Sequence, residues 1–486
     1  MQWVLELRRL KFCRFQILVS SFQCSAELER RAVSLLPRIQ VSSETFTYEQ
    51  GQLKEIARLA LEHASAKGAS AAELDLQEGF GQTVTVRRDE VETIEYSRDK
   101  GMSVTAYIGE RRGHASTSDL NPDAIRTTVE AALSIARLTA SDEYAALADP
   151  ALLATEFPDL DLYHPWSLSI EEAVEMARQG EQAAFDADPR VDNSEGASIS
   201  AHQGQFVYAN SNGFMAGYPS TRQVVSCAVI AGKGDNMQRD AWWSTARAQE
   251  DLDALKDVGA TAGRRAARRL DARKIDTTTV PVVFEAPLAS GLLGHFIAAI
   301  SGGSLYRQQS FLLDSLGTQV FPDFIQIEEL PFLKRGLASG PFDNEGVATH
   351  TRAIVKDGIV EGYSLGSYAA RKLGMQSTGN AGGSHNLVLQ STGETFESLL
   401  KSMGRGLLVT ELLGHGTNMV TGDYSRGAAG FWVEDGEIAY PVEEITVAGN
   451  LKDMFKSIVA VADDALARTS RQTGSILIES MTIAGD

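Results

Sequence analysis

Four stretches decide the fold class: Glu73-Leu74-Asp75-Leu76-Gln77, Thr83-Val84-Thr85-Val86-Arg87, Val91-Glu92-Thr93-Ile94-Glu95-Tyr96 and Met102-Ser103-Val104-Thr105-Ala106-Tyr107-Ile108. Each alternates apolar and polar side chains. A period of two places the apolar set on one face of a strand, so these runs, with polar turns between them, predict an antiparallel meander. Helical spacing flanks the meander. Leu53, Ile56, Ala57, Leu59, Ala60 and Leu61 recur as on one helix, which stops near Gly68. A second helix starts at Asn121-Pro122, with asparagine as cap and proline in the first turn, and runs to about Leu138.

Working outward, residues 141–167 hold Pro150, Pro158 and Pro165 and read as a linker. A helix is expected from Ser169 to about Asp186. Strands follow at Ser198–His202, Gln205–Ala209 and Val224–Ala231, then a helix from Asp251 to Leu270. A third unit opens with the apolar strand Val280-Pro281-Val282-Val283-Phe284 and a helix over Gly291–Ile300. Beyond it, strands and glycine-rich turns dominate. Asp357-Gly358 and Glu434-Asp435-Gly436 signal hairpins, and Gly430–Val433 with Gly436–Val442 reads as one of them. The expected class is α+β: helix-and-meander units, then a β-rich C-terminal domain with a helix after its first strand. The expected boundaries are an N-terminal α+β domain at 45–142, a central α+β domain at 150–275 and the β-rich domain at 278–486.

The 486 residues carry a net charge of −19, which disfavours contact with phosphate backbones and so argues against a nucleic-acid partner. No apolar run is long enough to span a membrane. Cys13, Cys24 and Cys227 form an odd, sparse set without Cys-x-x-Cys, as expected in a reducing compartment. Residues 1–40 differ, with seven basic residues against three acidic. The apolar stretch Phe15–Val19 is too short for a targeting segment. Residues 1–44 are therefore expected to be a disordered extension, or upstream sequence read from a misplaced start codon.

The chemistry-bearing patterns are sparse. No Walker pattern and no dinucleotide fingerprint occurs. Ser384 and His385 are neighbours in sequence, which says little about geometry. None of the eight histidines is followed by glutamate, so no His-Glu-x-x-His or His-Glu-x-x-x-His exists. A catalytic zinc needs about three protein ligands and a nearby carboxylate base. The helix Gly291–Ile300 offers His295 alone, best read as a histidine at the edge of a packed helix. The densest polar cluster runs from Glu411 to Ser425. A metal site built from His385, Glu411, His415 and Asp423 is conceivable there, but a loop lining a groove is the preferred reading.

Several C-terminal segments together suggest a family. They are Leu292-Leu293-Gly294 leading to Ser301-Gly302, then Ser310-Phe311-Leu312, Pro341-Phe342-Asp343-Asn344-Glu345-Gly346-Val347, Arg352, and Thr421-Gly422-Asp423-Tyr424-Ser425-Arg426-Gly427-Ala428-Ala429-Gly430-Phe431. This pattern resembles the PmbA/TldE branch of the TldD/PmbA metallopeptidase family, over roughly residues 48–486. The resemblance implies a cytoplasmic, heteromeric metallopeptidase acting on unfolded or extended peptides. It implies a TldD-type partner carrying His-Glu-x-x-x-His, a downstream cysteine and the zinc, with no cofactor in this chain. The helix Gly291–Ile300 corresponds to the partner's metal helix, and the region near Gly449-Asn450-Leu451-Lys452 has no cysteine.

On this reading the chain supplies no catalytic residue and no metal ligand. Its candidate substrate-groove residues are His385, His415, Asp423 and Tyr424. Two alternatives stay open: an autonomous metal-dependent hydrolase, and a non-catalytic peptide-binding or assembly factor. A homodimer of the isolated chain is also open.

Overall fold

In the computed structural model, residues 45–485 are described; the expectations for residues 1–44, Cys13 and Cys24 fall outside them. The expected meander is a sheet of fewer, longer strands. Helix α1 (Gln50–Ala66) leads into β1 (Ala71–Arg87), β2 (Glu90–Ile108) and β3 (Arg111–Thr117), followed by α2 (Pro122–Leu138) and α3 (Ile170–Ala187). Then come β4 (Val191–Asn210), the short β5 (Met215–Ala216), β6 (Pro219–Ala231), β7 (Gln238–Ala246) and α4 (Leu255–Arg268). One antiparallel sheet in the order β3-β2-β1-β4-β6-β7 joins all of these strands, with β5 paired to β4. The expected division between 45–142 and 150–275 thus falls between strands of a single sheet, where β1 pairs with β4 from Glu73↔Asn210 to Val86↔Ala197.

The four predicted strands of the meander are two. The turn expected near Gly79-Phe80-Gly81 is continuous strand, because a Cβ on Gly81 would lie 2.3 Å from the His202 ring. The glycine lets two strands approach closely. The real turn is Arg88-Asp89, both at positive φ (53° and 65°), the left-handed pair that a two-residue hairpin uses.

Helices α1 and α2 lie as predicted. Asn121 caps α2 by accepting from the backbone N–H of Asp123 (3.0 Å) and Ala124 (2.9 Å). Their apolar faces bury Leu53, Ala57, Val129 and Leu133 against Leu74, Leu76, Met102 and Val104. Helices α3 and α4 cover the other part of the sheet. They touch through glycine: a Cβ on Gly259 would sit 1.8 Å from the Gly180 carbonyl oxygen. Cys227, buried beneath them, has its thiol pushed up to about 12 by burial and then by the nearby Glu181 charge.

The C-terminal part opens with β8 (Thr278–Phe284) and the helices α5 (Ala286–Ala299) and α6 (Gly302–Tyr306). It continues through β9 (Ile327–Glu329), β10 (Arg352–Lys356), β11 (Ile359–Val360), α7 (Ser367–Lys372), β12 (Leu387–Leu389), α8 (Phe396–Met403) and β13 (Gly406–Leu413). It ends with β14 (Asp423–Glu434), β15 (Glu437–Asn450), α9 (Leu451–Lys456), β16 (Ile458–Val461), β17 (Arg471–Gln472) and β18 (Ile476–Ala484). Two sheets result, β11-β10-β9-β12-β17 and β15-β14-β13-β8-β18-β16. The predicted hairpin Gly430–Val442 is β14–β15. It offers no free edge along β14, which β13 and β15 flank, and β18 closes on β15 at Thr446–Ala448. The α+β class is as expected.

Candidate functional site

Helix α5 is the centre of the candidate site. Its residues are apolar nearly all round, so it packs into the core with Leu292, Leu293, Phe296 and Ala299 buried. Glu285 occupies its N-cap position but makes no cap hydrogen bond. The Arg265 guanidinium of α4 holds that carboxylate in a fork of 2.6 and 2.9 Å. Arg265 also reaches Asp240 at 3.2 Å, and Arg269 pairs with Glu411.

Gly294 makes room on the exposed side of α5. A Cβ there would lie 2.5 Å from Nη1 of Arg471, so the guanidinium lies against the helix. His295 is next to it, half-buried. Burial, then the charges of Arg426 and Arg471, hold the imidazole below its ordinary pKa. The Tyr424 ring stands 6.1 Å from the His295 ring, edge to face. Tyr424 is 1% exposed, and its hydroxyl makes no well-aligned hydrogen bond, although the Arg426 guanidinium lies beside it. Burial pushes this phenol up to about 12, with the Arg426 guanidinium pulling the other way. Nε of Arg426 is likewise buried without a partner, while its Nη2 reaches the Leu412 carbonyl oxygen at 3.4 Å.

The four groove candidates do not share one surface. His385 sits elsewhere, with its ring nitrogens 3.2 Å from the Ala338 carbonyl and 3.0 Å from the Gly379 carbonyl, and its backbone N–H donating to buried Glu329. His415 is exposed on the β13–β14 loop after Gly414, whose φ is +73°. Asp423 and Tyr424 are consecutive on β14 and therefore face opposite sides. Asp423 is exposed and accepts from the Thr421 hydroxyl (2.6 Å) and the Asn450 amide (3.1 Å), while Tyr424 points into the core. Glu411 is taken by Arg269. The imagined four-ligand site is not assembled, and no group of three or more His, Cys, Asp or Glu placed to hold a metal occurs among the described residues.

At α5 the side chains do not fit zinc. A lone imidazole flanked by two guanidinium groups offers one ligand and a repulsive field.

Sequence reading missed three features. Gly362-Tyr363-Ser364-Leu365-Gly366 fits the serine-hydrolase elbow pattern, but Ser364 is 6% exposed and its backbone is paired with Ile300 and Gly302. The Asp343-Asn344-Glu345-Gly346 segment is a turn in which buried Asp343 accepts from the N–H groups of Glu345, Val347 and Ala381. Burial pushes the Asp343 carboxyl up to about 6 against those bonds. The turn lines a cavity of about 600 Å³ with Glu73, Asp75, Tyr208 and Tyr218. Glu73 accepts from the hydroxyls of Tyr107 and Tyr208, both at 2.8 Å. Finally, Arg426 lies inside the Thr421–Phe431 segment with no feature of its own to mark it, and Arg471 carries no sequence signal.

Comparison with known proteins matches three family profiles along the chain. They are described as PmbA/TldA metallopeptidase domain 1 (residues 72–136), central domain (163–270) and C-terminal domain (277–485). The metalloprotease PmbA of Escherichia coli O157:H7 is 51% identical over 433 residues, 89% of this chain and 96% of that protein. A crystal structure from Bacteroides thetaiotaomicron, described as a modulator of DNA gyrase, superposes with a TM-score of 0.85 at 30% identity, covering 89% of this chain and 99% of that one. TldE from Thermococcus kodakarensis shares the fold, with a TM-score of 0.78 at 20% identity over 90% of this chain and 100% of that one.

Proposed function

The chain belongs to the PmbA/TldD metallopeptidase family, on its PmbA/TldE branch, and from that premise we propose that it is the non-metal subunit of a heteromeric peptidase. Its partner is a TldD-type subunit that carries the zinc and performs the hydrolysis. This chain completes the cavity and holds unfolded or extended peptide. Its working compartment is the cytoplasm.

The observation that carries the reading is the environment of α5. At the helix where the resemblance puts the partner's metal ligands, this chain has His295 beside Arg426 and Arg471. Positive charge there suits an anionic group and disfavours a divalent cation. The absence of any His-Glu pair in the sequence points the same way. The acidic cavity under Asp343 gives the chain a second polar recess, of a size suited to a side chain or chain end.

Mixing the purified chain with a TldD-type protein tests the reading. We expect a stable complex by size exclusion, with cleavage of an unfolded peptide appearing only in the mixture. Failure of the two chains to associate at micromolar concentration, or full cleavage by this chain alone, rejects it.

A further inference from the structure

Polar groups of Tyr424, Arg426, Arg471 and His295 gather beside α5 with no carboxylate among them. The Tyr424 hydroxyl and Nε of Arg426 are buried and make no well-aligned hydrogen bond. The Arg471 guanidinium lies against Gly294, and no carboxylate pairs with Arg426 or Arg471 among the described residues. His295 completes the set, within electrostatic reach of both arginines. Buried polar groups are nearly always satisfied, and an unpaired one costs about 1–3 kcal/mol. The Tyr424 hydroxyl and the Arg426 guanidinium lie close enough to interact, but neither supplies the negative charge that a cluster holding two guanidinium groups favours.

We propose that Arg426, Arg471, His295 and Tyr424 form a carboxylate-binding site. Its ligand is the carboxylate of an extended peptide, from the chain end or from a glutamate or aspartate side chain. Arginine suits the task, because its planar fork presents parallel N–H groups to both carboxylate oxygens. Tyr424 adds a hydroxyl donor from a ring fixed by packing against Phe284, 6.4 Å between centroids. His295, half-buried and within electrostatic reach of both guanidinium groups, can present a ring N–H. The rest of the peptide then extends away from α5. This site deepens the peptide-handling role proposed above and rests on it.

The test titrates the full chain, alone, with three fluorescein-labelled peptides of one extended sequence. The first has a free C-terminus, the second is amidated and uncharged, and the third is amidated with one internal glutamate. At least one carboxylate-bearing peptide is expected to bind about tenfold more tightly than the uncharged one, and which of the two does so identifies the source of the carboxylate. R471Q, at an exposed position, and Y424F, which keeps the buried ring, should each shrink that difference while leaving the melting temperature within about 2 °C. Equal binding of all three peptides, no binding of any, or a preference that survives in an R426M/R471Q double variant overturns the proposal. A complex that cleaves the three peptides equally would sink this site and leave the proposed function standing. A carboxylate preference in a chain that never supports cleavage would do the reverse.

Discussion

Replacing Arg265 with methionine lowers stability by about 3–5 kcal/mol, the cost of stranding buried charge. The guanidinium is only 11% exposed and lies between Asp240 (12%) and Glu285 (16%). It also lies 4.8 Å over the Trp242 ring, as does Arg468. Burial opposes the charge on Arg265, but the carboxylates of Glu285 and Asp240 together outweigh it, so the pKa is raised. Methionine fills most of the volume and keeps contact with the tryptophan. What it removes is the partner of two carboxylates. Glu285 would face the start of α5 unpaired, although the helix dipole there softens the penalty. The same change at Arg335, which bridges Asp161, Glu250 and Asp251 at 33% exposure, should lower the melting temperature far less, because solvent screens it. Thermal unfolding followed by circular dichroism checks the pair of variants. Equal shifts for both would show that the buried network has no special weight.

Replacing Phe296 with alanine should cost a comparable amount, about 3–5 kcal/mol, for lost transfer energy and a cavity. Phe296 is 1% exposed and meets Phe321 edge to face at 5.0 Å and Phe455 at 6.0 Å. Phe321 and Phe455 touch each other at 4.9 Å, so the three rings form one cluster. Their neighbours come from α5, from α9 and from the loop before β9, which limits how far the site can collapse. The variant should unfold at clearly lower denaturant with an unchanged slope. A midpoint within error of the parent would mean that the cluster does not hold α5 in place.

Much of the fold is legible in the sequence because its signals are local. The Asn121-Pro122 start of α2 needs only its own residues, and the alternation in 73–108 needs only strand periodicity. The turns between those strands were misplaced for a physical reason. Gly81 serves close strand approach, while the true turn uses Arg88-Asp89, which lacks the Asn-Gly or Asp-Gly signature of a two-residue hairpin. Strand β7 went unread because Trp242 and Trp243 break the alternation. The candidate site was less legible. Asp423 and Tyr424 looked like one cluster, yet consecutive strand residues face opposite ways. His385 is spent on backbone carbonyls. Arg471 reaches α5 only because position 294 lacks a side chain, a relation that no spacing rule encodes.

The most direct measurement is zinc content of the purified chain after dialysis against a trace of zinc, with peptide cleavage assayed on the same sample. We expect far less than one zinc per chain and no cleavage, with both appearing when a TldD-type partner is added. One tightly bound zinc per chain, accompanied by cleavage in the partner's absence, would contradict it.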